Sequence, residues 1–255
     1  MSHDLKANKL LKKIIGILGY KIFPKYAVKT ERFIETRSVN CGDLIKLLTD
    51  KNKINHVIQV GANDGKSDDF LRSSLNKDTT VLLIEPIESA FLDLKKNYSN
   101  FTNVQFINKA IDTKKGKKKI YSVNPVNYDY YKKKFQSEDV NWLTVLASFE
   151  ESHLKNHGVK SSHIQSTDVD CTTFNDLIRE YNFNKLDLLI IDTEGYDNIL
   201  VKNFIEEIKI RPIIIFEWIH MQKDEAKNIT ELLEANNYKF FKINKDLICI
   251  QNNYF

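Results

Sequence analysis

The chain has 255 residues, of which 42% are hydrophobic and 28% charged, and 38 Lys+Arg against 34 Asp+Glu give a formal net charge of +4. This balance leaves apolar material for a sizeable core, excludes a strongly acidic disordered chain and does not suggest a dedicated nucleic-acid binder. Eight Gly and four Pro exclude collagen-like or low-complexity sequence, and three scattered cysteines exclude a disulfide framework and a paired-cysteine metal site.

Residues 1–50 are predicted to form an N-terminal helical extension. Within it, residues 10–23 place leucines and isoleucines on one stripe and lysines on another. Such a basic amphipathic helix docks on its own domain or lies on a membrane surface, and docking is the favoured interpretation. A second helix is predicted over 42–50. Without an apolar run of about 18 residues or a secretory leader pattern, the sequence predicts no transmembrane segment and a cytoplasmic location.

From residue 54 onward, short β-branched runs alternate with helical segments. Strands are predicted at 56–60, 80–85, 104–108, 186–192 and 212–218, and helices at 67–75, 88–98, 172–181 and 198–208. This alternation predicts an α/β fold with an open, mostly parallel sheet and helices on both faces. The runs 238–243 and 246–251 are two residues apart, which permits only an antiparallel hairpin, so the sheet is expected to have an antiparallel C-terminal edge.

Residues 121–170 interrupt the alternation and are predicted to form a substrate or lid insertion, because long insertions in compact domains are usually functional or disordered. A short helix is expected near 149–157. The lysine-rich run 113–119 is interpreted as a solvent-exposed hairpin turn around Gly116, with a patch for an anionic substrate as the alternative.

A glycine-rich turn, G-A-N-D-G, follows the first predicted strand. Asn63 tolerates positive φ and can replace a glycine between Gly61 and Gly65. Glu85 ends the second strand, where an acid can hydrogen-bond the ribose hydroxyls of an adenosine cofactor. Such a turn at the carboxyl edge of an open sheet lets a ligand approach the backbone.

The residues around this turn favour S-adenosylmethionine over a dinucleotide. Lys66 stands where the dinucleotide fingerprint requires its last glycine, and Asp64, Asp68 and Asp69 would oppose a pyrophosphate. The sulfonium cofactor has no phosphate and tolerates this acidic turn. No P-loop motif occurs.

Several segments of the sequence together resemble the FkbM-family methyltransferases. These are VIQVGANDGKSDD, VLLIEPIESAFLDLKKNY, NKAI, LDLLIIDTEGYDNIL and PIIIFEW, which occur in the family's order over roughly residues 54–251. The resemblance implies a class I S-adenosylmethionine-dependent O-methyltransferase that modifies hydroxyls of sugars and other small molecules or glycans. It also implies a Rossmann-like, seven-stranded sheet whose last strand is antiparallel.

The same resemblance assigns a cofactor site. The methionine half of the cofactor would lie against the glycine-rich turn, and the ribose would lie against the acid that ends the second strand. The adenine would lie beside the residues that follow the third strand, and the methyl group would lie near the acid that ends the fourth strand. The residues at these positions and next to them are Gln59, Gly61, Ala62, Asn63, Gly65, Glu85, Pro86, Asn108, Ala110 and Asp192. Gln59 departs from the family, which often has Asp there, so a charged contact to the cofactor's amino group is not expected at this position.

The candidate catalytic residues are Asp192, Glu194, Glu217 and His220, because two central strands carry their carboxylates to one edge of the sheet. His220 is either the general base or a structural loop histidine. Glu194 alternatively stabilises the start of the next helix. Asp192 with Glu217 could instead hold magnesium, although no metal is the favoured prediction.

Three further histidines lie in the insertion. His153 and His157 would share a helix face, with His163 nearby. Zinc is disfavoured because no cysteine is close. A lid that presents histidines to the substrate is preferred, with Ser148 and Phe149 facing the cofactor.

The leading hypothesis is therefore an O-methyltransferase domain over 51–255 acting on a small-molecule or glycan acceptor, with no nucleic-acid partner. A second hypothesis is an NAD-dependent epimerase or dehydrogenase, disfavoured by Lys66, by the acidic first turn and because Tyr128 with Lys132, which has the Y-x-x-x-K spacing, lies in a lysine run of the insertion. A third is a non-catalytic module that binds a membrane or partner through the basic N-terminal helix.

Overall fold

The computed structural model describes residues 40–51, 53–66, 70–76, 78–137, 140 and 142–252. The amphipathic helix predicted within residues 1–39 lies outside the described residues. The strands are β1 His56–Val60, β2 Thr80–Ile84, β3 Val104–Ile107, β4 Ala110–Ile111, β5 Gly116–Val123, β6 Ile164–Thr172, β7 Leu188–Ile191, β8 Ile213–Glu217, β9 Tyr238–Ile243 and β10 Asp246–Gln251. The α-helices are α1 Cys41–Asp50, α2 Glu88–Asn97, α3 Tyr128–Phe135, α4 Trp142–Val145, α5 Glu151–Asn156, α6 Phe174–Glu180, α7 Asp197–Glu207 and α8 Lys223–Ala235. In the described part of the chain, no helix combines the length and apolarity that a membrane crossing requires.

The main sheet has seven strands in the order β3-β2-β1-β7-β8-β10-β9. β1, β2, β3, β7 and β8 are parallel, whereas β10 runs antiparallel to both neighbours. The predicted α/β class, the parallel strands and the C-terminal hairpin are thus confirmed. The antiparallel strand itself lies one place inside the edge, because the tight turn at Asn244, with φ of 53°, folds β10 back between β8 and β9.

Both faces of this sheet are covered, which explains why its central strands are almost continuously apolar. Val57 packs with the cluster that includes α1 and α2, whereas Ile58 packs with the cluster that includes α6, α7 and α8. Strand order reverses at β1, between β2 and β7. In open α/β sheets, ligands bind beyond the carboxyl ends of the strands at this switch point.

A second, three-stranded sheet in the order β4-β6-β5 adjoins the main one. The sequence analysis did not predict β5 and β6. The hairpin turn expected around Gly116 is wrong, since Gly116 begins β5 and pairs with Cys171 of β6. Lys117 and Lys119 are exposed, as expected, and face aspartates of β6 across the antiparallel ladder. The acidic neighbour strand stabilises these lysines in an extended conformation.

The insertion between β5 and β6 has a small core of its own. Helices α3, α4 and α5 pack around buried residues that do not belong to the clusters of the main sheet, namely Val123, Tyr131, Val140, Leu143, Leu146, Leu154 and Val159. The predicted short helix is confirmed as α5. We call the segment from Asn124 to His163 the lid unit.

One helix prediction is wrong in its described part, and helices α3, α4 and α8 were not predicted. Residues 70–75 of the helix predicted over 67–75 form only a 3₁₀ turn at Arg72–Ser74. The hydroxyls of Ser73 and Ser74 donate to the carbonyl of Phe70, and such bonds compete with regular helix formation.

Candidate functional site

A cavity opens at the carboxyl ends of β1, β2 and β7, at the switch point of the sheet. Eight of the ten predicted cofactor residues line this cavity. They are Gln59, Gly61, Ala62, Asn63, Glu85, Pro86, Ala110 and Asp192. The lid unit contributes Thr144, Val145, Ala147, Ser148 and Phe149. The cavity therefore lies between the glycine-rich turn and the insertion.

The turn after β1 takes its shape from backbone conformations that few residues adopt. Gly61 has φ of 78°, and a Cβ atom there would overlap the carbonyl oxygen of Asp192. Asn63 has φ of 45°, which confirms the positive φ expected of it. The main chain of the turn can therefore approach β7 closely, and it forms one wall of the cavity.

Glu85 is buried and ties this turn to the end of β2. Its Oε2 accepts a hydrogen bond from the main-chain N–H of Asn63 at 2.9 Å, and its Oε1 accepts one from Ile87 at 2.7 Å. Burial raises the pKa of the Glu85 carboxyl to about 7, although both hydrogen bonds oppose this shift. Each carboxylate oxygen retains a further lone pair for a ligand hydroxyl.

Two predicted cofactor residues stand behind the cavity wall rather than in it. Gly65, with φ of 64°, leaves room for Leu94 and Tyr98, which a Cβ atom would approach to 2.6 and 2.7 Å. The Nδ2 of Asn108 donates to the carbonyls of Glu85 and Pro86 at 3.0 and 3.2 Å. Both residues therefore shape the loops that form the wall.

The loop after β7 carries a dense group of acids. Asp192 lines the cavity, and burial, followed by the charges of Asp197 and Glu194, raises its pKa well above the usual range. Asp197 is buried at the start of α7 and accepts hydrogen bonds from the main-chain N–H groups of Thr193 and Gly195 at 3.3 and 3.2 Å. Burial raises the pKa of Asp197 to about 7. Asp197 was not among the predicted site residues, although an acid in the first turn of a helix is a recognisable pattern.

Polar atoms without partners mark the cavity wall. Among the described residues, Asn63 Nδ2, Asp192 Oδ1 and Thr193 Oγ1 are buried and have no hydrogen-bond partner. All three residues line the cavity. Buried polar groups are normally hydrogen-bonded, so these atoms fit a polar ligand that supplies both donors and acceptors.

Glu194 connects the cavity to a group of histidines, which we call the histidine cluster: His153, His157, His220, Glu194 and Glu217. The Oε2 of Glu194 lies 3.0 Å from Nε2 of His153 and 3.7 Å from Nε2 of His220. The same His220 nitrogen lies 2.9 Å from Oε2 of Glu217. The structure therefore brings three of the four predicted catalytic residues into one chain of contacts, while Asp192 lies on the cavity side of Glu194.

The charges within the histidine cluster are balanced. The hydrogen bond with Glu217 raises the pKa of His220 more than burial lowers it. Burial alone would raise the pKa of Glu217, but the bond to His220 and the charge of Lys245, 3.4 Å away, lower it. Glu217 and His220 thus favour the carboxylate–imidazolium form.

A second polar group joins the three-stranded sheet to the cavity. The Lys118 ammonium lies 3.1 Å from Asp112 and 4.1–4.2 Å from the ring centroids of Phe149 and Tyr196. The hydroxyl of Tyr196 donates to Asp112 at 2.7 Å. Burial disfavours the charged ammonium, yet the hydrogen bonds with Tyr196 and Asp112 raise the pKa of Lys118. Sequence reasoning missed this group, because its members come from three distant segments.

The chain matches the sequence model of the methyltransferase FkbM domain over residues 59–240. No curated protein matches it. The solved structures similar to this chain include the O-methyltransferase TomG from Streptomyces achromogenes in complex with SAM. The two chains are 9% identical, the match covers 86% of this chain and 84% of that chain, and the TM-score is 0.43. A SAM-dependent O-methyltransferase from Thermotoga maritima has 8% identity, 89% and 69% coverage, and a TM-score of 0.41. The pre-rRNA processing protein fibrillarin from Methanococcus jannaschii has 11% identity, 87% and 84% coverage, and a TM-score of 0.37.

Proposed function

Because the chain belongs to the FkbM-domain methyltransferases, which makes it an S-adenosylmethionine-dependent enzyme, we propose that it methylates a hydroxyl group of a sugar, a glycan or a related small molecule. The proposed acceptor is not a nucleic acid, since the formal net charge of +4 is modest for a chain of 255 residues. The domain proposed to carry this activity is 51–255.

One observation carries the proposed location of the site. The buried polar atoms of Asn63, Asp192 and Thr193 converge on the cavity at the switch point. S-adenosylmethionine presents an ammonium, a carboxylate and ribose hydroxyls, which together supply the donors and acceptors that these atoms need. We propose that Glu85 holds the ribose and that Asp192 lies on the methyl side.

The acceptor oxygen must be aligned and must lose its proton. When bound, S-adenosylmethionine would supply a methyl group on a sulfonium: the acceptor oxygen would attack the methyl carbon, and the electron pair of the broken C–S bond would go to sulfur, which leaves as the thioether of S-adenosylhomocysteine. We propose that the histidine cluster facilitates removal of the hydroxyl proton, because Glu194 reaches both the cavity and the imidazoles of His153 and His220.

We propose that the lid unit forms the acceptor side of the cavity and excludes water from it. Ser148 and Phe149 line the cavity, and the hydroxyl of Ser148 donates to the carbonyl of Glu194 at 2.8 Å. These contacts connect the insertion directly to the loop after β7. A closed, dry site favours methyl transfer to the acceptor over loss to water.

The proposed function is tested by binding and transfer measurements. Isothermal titration should show binding of S-adenosylhomocysteine and no binding of NAD. Methyl-labelled S-adenosylmethionine should transfer its label to glycan extracts, and the label should resist mild base, as an ether does and an ester does not. Binding of NAD without any response to S-adenosylhomocysteine would overturn the assignment of the cavity.

Substitution of Glu85 by glutamine should weaken S-adenosylhomocysteine binding at pH 8 by about 1.5–3 kcal/mol, the usual worth of a hydrogen bond to a charged group. Because the pKa of Glu85 is about 7, its ionised form dominates at pH 8 and its neutral form at pH 6. Affinity in the unsubstituted protein should therefore rise with pH through this range. Asp197 also has a pKa of about 7, so it can contribute to the pH dependence of the affinity. The Glu85→Gln variant is the control, because the part of the pH dependence that is due to Glu85 should be absent from it. Equal affinities in both proteins at both pH values would mean that Glu85 only holds the loop.

A further inference from the structure

We propose that the histidine cluster is a binding site for one divalent transition-metal ion, with His220, which belongs to both groups of donor atoms, as the central ligand and His153 and Glu194 beside it. The existence of this site is argued from geometry alone. Only its role, to lower the pKa of the acceptor hydroxyl beside the cavity, rests on the proposed function.

The first argument is the spacing of the donor atoms. His153, His157 and His220 each offer a ring nitrogen within 4.8 Å of the others, and Glu194, Glu217 and His220 form a second such group. The Oε2 of Glu194 is 3.0 and 3.7 Å from the Nε2 atoms of His153 and His220. With metal–ligand bonds of about 2.0–2.2 Å, neighbouring donors in a tetrahedral or octahedral site lie about 3–3.6 Å apart. Small side-chain movements would therefore complete the site.

The second argument is the tautomer of His157. Its Nδ1 lies 2.9 Å from the carbonyl oxygen of His153 and can only donate to it. This hydrogen bond leaves the lone pair on Nε2, on the other side of the ring. Metal-binding histidines characteristically donate their second nitrogen in this way, which fixes the ring and raises its basicity. His157 is therefore prepared to serve as a further ligand.

The third argument concerns charge and the choice of metal. Two carboxylates lie against His220: the Oε2 atoms of Glu194 and Glu217 are 3.7 and 2.9 Å from its Nε2, and the Lys245 ammonium is 3.4 Å from Oε1 of Glu217. Two or three imidazoles with one or two carboxylates suit zinc, manganese, iron or cobalt, whereas magnesium prefers oxygen ligands. The site differs from the magnesium pair of Asp192 and Glu217 considered from the sequence, because Glu217 contacts His220 and Lys245.

The metal would act through its charge. A two-histidine, one-carboxylate set leaves coordination positions for other oxygen ligands. Glu194 lines the cavity, so an ion beside it lies within reach of an acceptor hydroxyl. A coordinated hydroxyl loses its proton more readily, and the proton can pass to a carboxylate of the same cluster.

The test uses the full chain after treatment with a chelator and dialysis. Zinc, manganese and magnesium are titrated separately by calorimetry, and bound metal is counted by mass spectrometry. We expect one zinc or manganese ion per chain, with at least 10-fold weaker binding in His153→Gln and in Glu194→Gln. The matched control is His163→Gln, since His163 lies in the same lid unit but contacts the hydroxyl of Tyr131 at 3.0 Å instead of the cluster.

Cobalt provides a second readout, because its visible absorption reports nitrogen ligands directly. Loss of that spectrum in His153→Gln and its retention in His163→Gln would support the site. Equal metal binding in all variants, or no binding below millimolar concentrations, would overturn it. S-adenosylhomocysteine affinity, measured on each metal-free variant, shows that the fold survives, and it tests the cofactor cavity separately from the metal site.

Discussion

Replacement of His220 by alanine is expected to slow methyl transfer by about 10²–10⁴-fold, the usual contribution of an acid–base group. His220 contacts both Glu217 and Glu194, so its loss interrupts the path from the cavity to the buried carboxylate of Glu217. The measurement is the initial rate of label transfer to glycan extract at saturating S-adenosylmethionine. Affinity for S-adenosylhomocysteine should change little, because His220 does not line the cavity.

The matched control is His56→Ala. His56 also faces a carboxylate, with its Nδ1 3.3 Å from Asp187, but it begins β1 and thus lies at the opposite edge of the sheet. This variant should retain the full rate.

A second readout is the pH profile. In chelator-treated protein, where His220 is free to titrate, Glu217→Gln should move the acidic limb of the rate to lower pH, since Glu217 raises the pKa of His220. An unchanged rate in His220→Ala would exclude a catalytic role for the residue.

Replacement of Gly61 by alanine is expected to lower the free energy of unfolding by about 2–5 kcal/mol. A left-handed backbone costs an L-residue about 1–2 kcal/mol, and relief of the overlap with the carbonyl of Asp192 costs a further 1–3 kcal/mol. The new methyl group would force apart the ends of β1 and β7, which form the cavity wall. Variants that still fold should therefore have lost S-adenosylhomocysteine binding. Denaturant unfolding and calorimetry measure the two effects.

Gly158→Ala separates backbone strain from steric overlap. Gly158 has φ of 79°, almost that of Gly61, but the only neighbour close to its Cβ position is the Nζ atom of Lys134 at 3.6 Å. We expect this control to cost only about 1–2 kcal/mol and to bind S-adenosylhomocysteine normally. If the two variants were equally stable, the close approach of Gly61 to β7 would be incorrect.

The main sheet could be predicted from the sequence because burial on both faces makes its strands continuously apolar, as in residues 186–192 and 212–218. Strands β5 and β6 could not, since few of their side chains are buried and many of their residues are charged or polar. Their pairing also joins segments separated by about 40 residues of insertion. Helix α8 was missed although it has the usual amphipathic pattern.

The glycine-rich turn and Glu85, which are proposed to hold the cofactor, could be recognised in the sequence because they lie in a local motif. The histidine cluster is different. His153 and Glu194 are 41 positions apart, and their contact arises only when the lid unit packs against the loop after β7. The sequence grouped His153 with His157 and His163, whereas the structure joins the first two to His220 and places His163 beside Tyr131. Spacing along the chain could not reveal these partners.

The separate core of the lid unit has a consequence for the diversification of such enzymes. The unit is anchored by β5 and β6 and packs most of its buried apolar residues around its own centre, whereas Phe149 packs against the cluster of the main sheet, so its sequence can change with little repacking of that core. Acceptor preference could then evolve by exchange or enlargement of this insertion, while the cofactor cavity stays constant. A few contact residues limit such exchange, notably Ser148 and His153, which must still contact the loop after β7. A chimaera that exchanges the lid unit but retains those contact residues is the natural starting point for the redesign of acceptor specificity.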